Sequence, residues 1–110
     1  MRWQKLNLIA LLSIAVMLTI AAAKAHVFTG EVSDSMCGAK HMMENKAECT
    51  RACVSKGSNY ALVVGDKVYT LNTSNKSALD ELNTLAGQQA KVTGTANGDT
   101  IAVSKVAPAK

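Results

Sequence analysis

Aromatic side chains are scarce in this 110-residue sequence: one Trp, one Phe and two Tyr make up 4% of it. Single-stranded nucleic acid is held by aromatic stacking platforms in a basic groove, and both are thin here. The formal charge of +4 overstates the second. Arg2, Lys5 and Lys24 lie in the first 25 residues, so beyond them nine of the twelve bases face all eight acids and the balance is near +1. Trp3 lies there too, which leaves Phe28, Tyr60 and Tyr69 as the aromatics of the remainder. The sequence also lacks internal repeats, a low-complexity linker, a Gly-rich loop able to cradle phosphates, and paired carboxylates of the acid–base kind. These absences argue against nucleic-acid binding and leave nothing that marks a phosphate site or a hydrolytic pair.

The N-terminal segment accounts for the misplaced charge. Arg2 and Lys5 precede an apolar run over residues 6–20, broken by Asn7, Ser13 and Thr19, and Ala23-Lys24-Ala25 follows with small residues at alternate positions. That is the three-part pattern of a secretory signal peptide, whose peptidase admits only small side chains at the cut. Crossing a bilayer takes ~20 apolar residues, more than this run supplies. No Cys follows the run directly to take a lipid. The expectation is a signal peptide over residues 1–25, export to a periplasm or beyond the cell, and no stable membrane anchor after cleavage. Cleavage after Ala25 would make His26 the first residue, with amine and imidazole able to chelate Cu(II) together. That idea needs a second His, for which there is only His41; otherwise His26 is a disordered end.

Residues 26–110 number 85, enough for one domain. A chain of this size buries only ~60–65% of its unfolded surface, and small exported domains often compensate with a disulfide or a metal. Residues 27–35 alternate, with Phe28, Gly30 and Val32 on one face and Thr29, Glu31 and Ser33 on the other, as in a half-buried strand. Asn45 with Glu48 three residues on forms a helix cap, and Gly57 supplies a left-handed C-terminal stop, so a short helix is predicted over 46–56. Strands at 60–64 and 67–71 flank the turn Gly65-Asp66. Ala78, Leu79, Leu82, Leu85 and Ala86 fall on one helical face that Gly87 closes. Strands at 90–95 and 100–106 follow around Asn97-Gly98, with Val92 and Gly94 facing Ile101 and Val103, and residues 107–110 are expected to fray.

The resulting order is strand, helical insertion, strand, strand, helix, strand, strand. Apart from the insertion it resembles the OB-fold, a five-stranded Greek-key barrel. The expected fold is therefore mostly β: a small OB-like barrel at 26–110, with a Cys/His helical insertion at 36–57 between strands 1 and 2 and a helix between strands 3 and 4. At the level of motifs, DSMCGAKH and ECTRAC followed by YALVVGDKVYTL and KVTGT resemble small exported bacterial domains of unassigned function. The resemblance implies a Cys/His segment joined to an OB-like barrel, and it brings no activity with it.

The segment 36–53 concentrates the reactive side chains: Cys37, Cys49 and Cys53, with His41 and the methionines Met36, Met42 and Met43. Cys37 and His41 are four residues apart, as are Cys49 and Cys53, a spacing that puts each pair on one helical face. Folded against each other, the two pairs would offer three sulfurs and an imidazole to one tetrahedral ion, Zn among them. The three Met residues, possible extra ligands, favour a softer ion such as Cu(I). The spacings are not the tight C-x2-C of zinc ribbons.

A second reading uses the same residues without a ligand. Cys49, Ala52 and Cys53 form the apolar stripe of the short helix, and Cys is among the most buried residue types. In an oxidising compartment Cys37 could join Cys49 or Cys53 in a disulfide contributing roughly 3 kcal/mol, with one thiol left over and the methionines as packing. A third reading, a thiol redox protein built on Cys37 with His41, or on Cys49 with Cys53, lacks a group to orient the His and the C-x-x-C spacing of oxidoreductases. The expectation is thus a non-enzymatic exported binding module with a metal ion, Cu(I) or Zn, on Cys37, His41, Cys49 and Cys53. The disulfide-stapled structural or protein-interaction domain is the alternative. Metal is preferred because it uses His41 and the methionines as well as the sulfurs.

Overall fold

The computed structural model describes residues 24–40 and 44–110. Nearly all of the expected signal peptide, together with His41, Met42 and Met43, lies outside the described residues. Among the described residues, five strands and two helices follow one another as β1 (His26–Asp34), α1 (Lys46–Ser55), β2 (Tyr60–Val64), β3 (Lys67–Asn72), α2 (Lys76–Thr84), β4 (Gln89–Asn97) and β5 (Thr100–Pro108). The protein is mostly β, with all five strands in one sheet.

Their pairing closes into a ring in the order β1-β2-β3-β5-β4, with β4 returning to β1. Of the five strand pairings in this ring, β3–β5 alone is parallel. β1 serves two neighbours in succession: residues His26 to Glu31 pair with β4, and Glu31 to Asp34 pair with β2. Glu31 stands at the changeover, opposite both Val63 and Gln89. Beside it the backbones come so close that a Cβ on Gly30 would overlap the Val63 carbonyl oxygen, the kind of approach for which a strand carries glycine.

The core lies inside this ring. Val32, Leu62, Val92 and Ile101 are fully buried with Leu82 of α2, and Leu71, Leu85 and Tyr60 surround them. Burying one such aliphatic side chain contributes ~1.5–3 kcal/mol. α2 runs along β5. It starts where the Asn75 side chain accepts the Ala78 N–H at 3.2 Å, and Ala78 and Leu82 face the core while Asp80 and Asn83 face water.

Several sequence expectations change. The last turn is Gly98-Asp99, one residue later than Asn97-Gly98, because Asn97 remains in the ladder opposite Thr100 and Gly98 takes φ 62°. An irregularity between Thr93 and Gly94 shifts the register, so Gly94 does face Val103, but Val92 faces Val106 and Ile101 faces Ala96. The tail is paired: Ala107 and Pro108 lie opposite Lys91 and Ala90, and the Ala109 N–H donates to the Gln89 carbonyl at 3.3 Å. His26 likewise is a strand residue, opposite Gly94.

Candidate metal centre

The C-terminal end of β1 is buried on both faces. Alternation assigns Ser33 to solvent, yet Ser33 and Asp34 are fully buried, because the segment that follows folds back over them. Asp34 pairs through its backbone with Tyr60 and turns the chain with its side chain. Its Oδ2 accepts the N–H groups of Met36 at 3.1 Å and Cys37 at 3.0 Å. The Gly38 N–H donates to the Asp34 carbonyl at 2.8 Å, and the Ser33 hydroxyl donates to the Gly38 carbonyl at 2.6 Å. Gly38 adopts φ 57°, a left-handed conformation glycine takes without steric cost. These bonds fix where Cys37 points.

The other two sulfurs come from α1. The Asn45 side chain accepts the Glu48 N–H at 3.0 Å and starts the helix. At the other end Gly57 takes φ 106°, and the Ser58 N–H closes back on the Cys53 carbonyl at 3.1 Å. Cys49 and Cys53, four apart, therefore share a face. The helix is tied down twice: Lys46 pairs with Glu31 of β1 at 3.4 Å, and Arg51 Nε donates to the Asn83 carbonyl of α2 at 3.0 Å.

The two pieces meet at sulfur. Cys37 Sγ lies 3.5 Å from Cys49 Sγ and 3.7 Å from Cys53 Sγ. With a carboxylate oxygen of Asp34, the donor atoms all lie within 4.8 Å of one another. Thiolates bound to one tetrahedral ion at ~2.3 Å stand about 3.8 Å apart, so the observed separations suit a shared cation with little movement. No two sulfurs among them are at disulfide-bonding distance. Asp34 and Cys49 form the closed inner side of the cluster, while Cys37 and Cys53 are only half-buried and leave it open to solvent.

Two of the thiols, Cys37 and Cys53, are shifted toward the protonated form. Cys37 is pushed up to about 12 from an ordinary 9.0, first by its hydrogen bond with Cys49, then by burial, the bond with Cys53 and the negative charge of Asp34. At Cys53 the bond with Cys37 pulls downward, but burial, the charge of Asp34, a side-chain hydrogen bond with that carboxylate and the charge of Cys49 outweigh it, and the net shift is upward. Asp34 carries a further irregularity. Its Oδ1 is buried with no hydrogen-bond partner among the described residues, a condition shared there only with Thr50 Oγ1. Buried polar atoms are seldom left so.

Of the residues singled out from sequence, Cys37, Cys49 and Cys53 converge. Met36 stands 75% exposed, and His41, Met42 and Met43 lie outside the described residues. Asp34 escaped the sequence reading. Its signal is faint: an Asp at a strand end, three residues before a Cys, is the ordinary makings of a turn, and only its burial sets it apart. Comparison with protein families, curated proteins and solved structures finds no match to this chain.

Proposed function

We propose that the chain is an exported, OB-like binding module that holds one soft or borderline metal ion, Cu(I) or Zn(II), through the sulfurs of Cys37, Cys49 and Cys53. His41 is the fourth donor that the sequence offers. The observation that carries the reading is the sulfur geometry: separations of 3.5 and 3.7 Å from Cys37 to its two neighbours, beside a buried carboxylate. The OB-like assignment rests on the ring order β1-β2-β3-β5-β4 with α2 between β3 and β4. Export rests on the basic, apolar and small-residue pattern of residues 1–25.

The same contacts support the disulfide-stapled alternative, since two thiols 3.5 Å apart need only a small rotation to bond. A thiol redox protein fares worse. Oxidoreductase pairs have the spacing C-x-x-C, whereas three residues separate Cys49 from Cys53. The deciding experiment is intact mass of the exported protein, purified without chelator, under native and denaturing conditions with thiol alkylation. Three alkylated cysteines and a metal adduct lost on denaturation support the proposal. One alkylated cysteine, a deficit of two hydrogens and no adduct replace it with the stapled domain.

A further inference from the structure

Resting on that metal reading, we infer that Asp34 is the fourth donor and that it makes the site a Zn(II) site in preference to Cu(I). Asp34 is fully buried at the foot of β1, and its two oxygens have different surroundings. Oδ2 takes the N–H groups of Met36 and Cys37. Oδ1 has no partner among the described residues, although a carboxylate oxygen of this side chain belongs to the group within 4.8 Å of the three sulfurs. A buried carboxylate without a counter-charge is strongly unfavourable. A divalent cation among the sulfurs supplies the charge and occupies the orphaned oxygen. The backbone N–H groups on Oδ2 then orient the ligand, as outer hydrogen bonds do for metal-bound carboxylates.

The donor set also discriminates between ions. Three thiolates and one carboxylate oxygen make a four-coordinate S3O site, which suits zinc with bonds of about 2.3 Å to sulfur and ~2.0–2.2 Å to oxygen. Cu(I) is selected by soft sulfur donors and draws little from a hard carboxylate. Removing the carboxylate donor therefore weakens zinc and spares copper. Asp34→Asn is the apt change, because the amide oxygen still accepts from Met36 and Cys37 while the negative charge is gone.

The test uses the reduced mature protein under anaerobic conditions, titrated with Zn(II) and with Cu(I) against competing chelators. Wild type is expected to bind one Zn(II). Asp34→Asn is expected to lose ~100-fold or more in zinc affinity, above the ~10–100-fold typical of outer-shell changes, while Cu(I) affinity stays within about threefold. X-ray absorption of the Zn-loaded wild type reads the donors without any variant, so an Asp34→Asn protein that does not fold leaves the question answerable. Three sulfurs and one light atom without imidazole scattering support Asp34. Imidazole scattering, zinc binding unchanged in Asp34→Asn, or equal losses of zinc and copper overturn the inference and leave the thiolate site standing. A wild-type protein that binds neither ion overturns both.

Discussion

Cys37 and Cys49 are twelve residues apart, yet their sulfurs lie 3.5 Å from each other, one just past the end of β1 and the other on α1. One is aimed by the Asp34 carboxylate through backbone N–H groups, the other by a helix that Asn45 starts and Glu31 and Asn83 hold in place. Each half is ordered by bonds that do not involve sulfur. The three sulfurs are thus positioned by the protein alone, which would reduce the ordering cost of binding an ion there.

The first prediction concerns oxidation. With the metal removed, a small-molecule disulfide such as oxidised glutathione should convert two of the thiols into an internal bridge, releasing two molecules of the reduced thiol. Cys37 must be one partner, because its sulfur neighbours both others, whereas Cys49 and Cys53 project side by side from successive turns of one helix. Peptide mapping should find Cys37–Cys49 or Cys37–Cys53, and the bridged form should be more stable by roughly 3 kcal/mol. Zn(II) should slow the reaction by occupying the thiolates. A dominant Cys49–Cys53 bridge would contradict this arrangement of the three sulfurs.

The second concerns pH. Cys37 titrates near 9.0 in an unfolded chain and is pushed up to about 12 in the fold. The folded state therefore keeps its proton when the unfolded state has lost it. Stability from this group is intact below 9.0 and declines as pH rises from 9.0 toward about 12. Cys53 and Tyr60 act in the same direction; at Tyr60 the cause is chiefly burial, with Arg51 opposing and Asp80 adding. Urea denaturation of the metal-free, reduced protein across this range should show the decline, and Cys37→Ser should make it shallower. An identical slope in Cys37→Ser would show that the thiol cluster does not hold the proton.

What sequence revealed of the fold follows from which signals are local. The cap at Asn45, the stop at Gly57 and the Gly65-Asp66 turn are set by neighbouring residues, and α1 and the β2–β3 hairpin stand within a residue of where those residues put them. The spacing of Cys49 and Cys53 is local as well, and it placed both on one helical face. Ser33 departs from its pattern because alternation describes one strand against one core, while a second layer covers its other face. The paired tail departs from its expected fraying for a similar reason. Ala107 and Pro108 have little strand propensity of their own, and the β4 backbone opposite supplies the order. Asp34 as a donor needed tertiary information throughout.

A third prediction separates the helix from its sulfurs. Asn45 touches none of the donor atoms but satisfies the Glu48 N–H at 3.0 Å. Asn45→Ala should cost ~1 kcal/mol of stability. Because α1 carries two of the three thiols, the same loss should pass into metal affinity, about fivefold at most, with stoichiometry unchanged. Asn45→Asp, which restores the acceptor, should recover both. Loss of stability with no change in metal affinity would mean that the donors do not depend on how α1 is held.

The last prediction addresses the sheet that carries the site. Gly30 lies where β1 passes from β4 to β2, and a Cβ there would run into the backbone carbonyl of Val63, which has no side-chain rotamer with which to yield. Gly30→Ala should therefore destabilise the protein by ~1–3 kcal/mol through overpacking, even though alanine has the lower conformational entropy in the unfolded chain and would otherwise stabilise. The damage should reach the metal centre, since Asp34 is held by the same strand's pairing with β2. Zn(II) should then raise the thermal midpoint of Gly30→Ala by less than it raises that of wild type. Equal stability of the two proteins in urea would show that β1 and β2 can separate at this point, and the close approach would no longer be what keeps the ring shut.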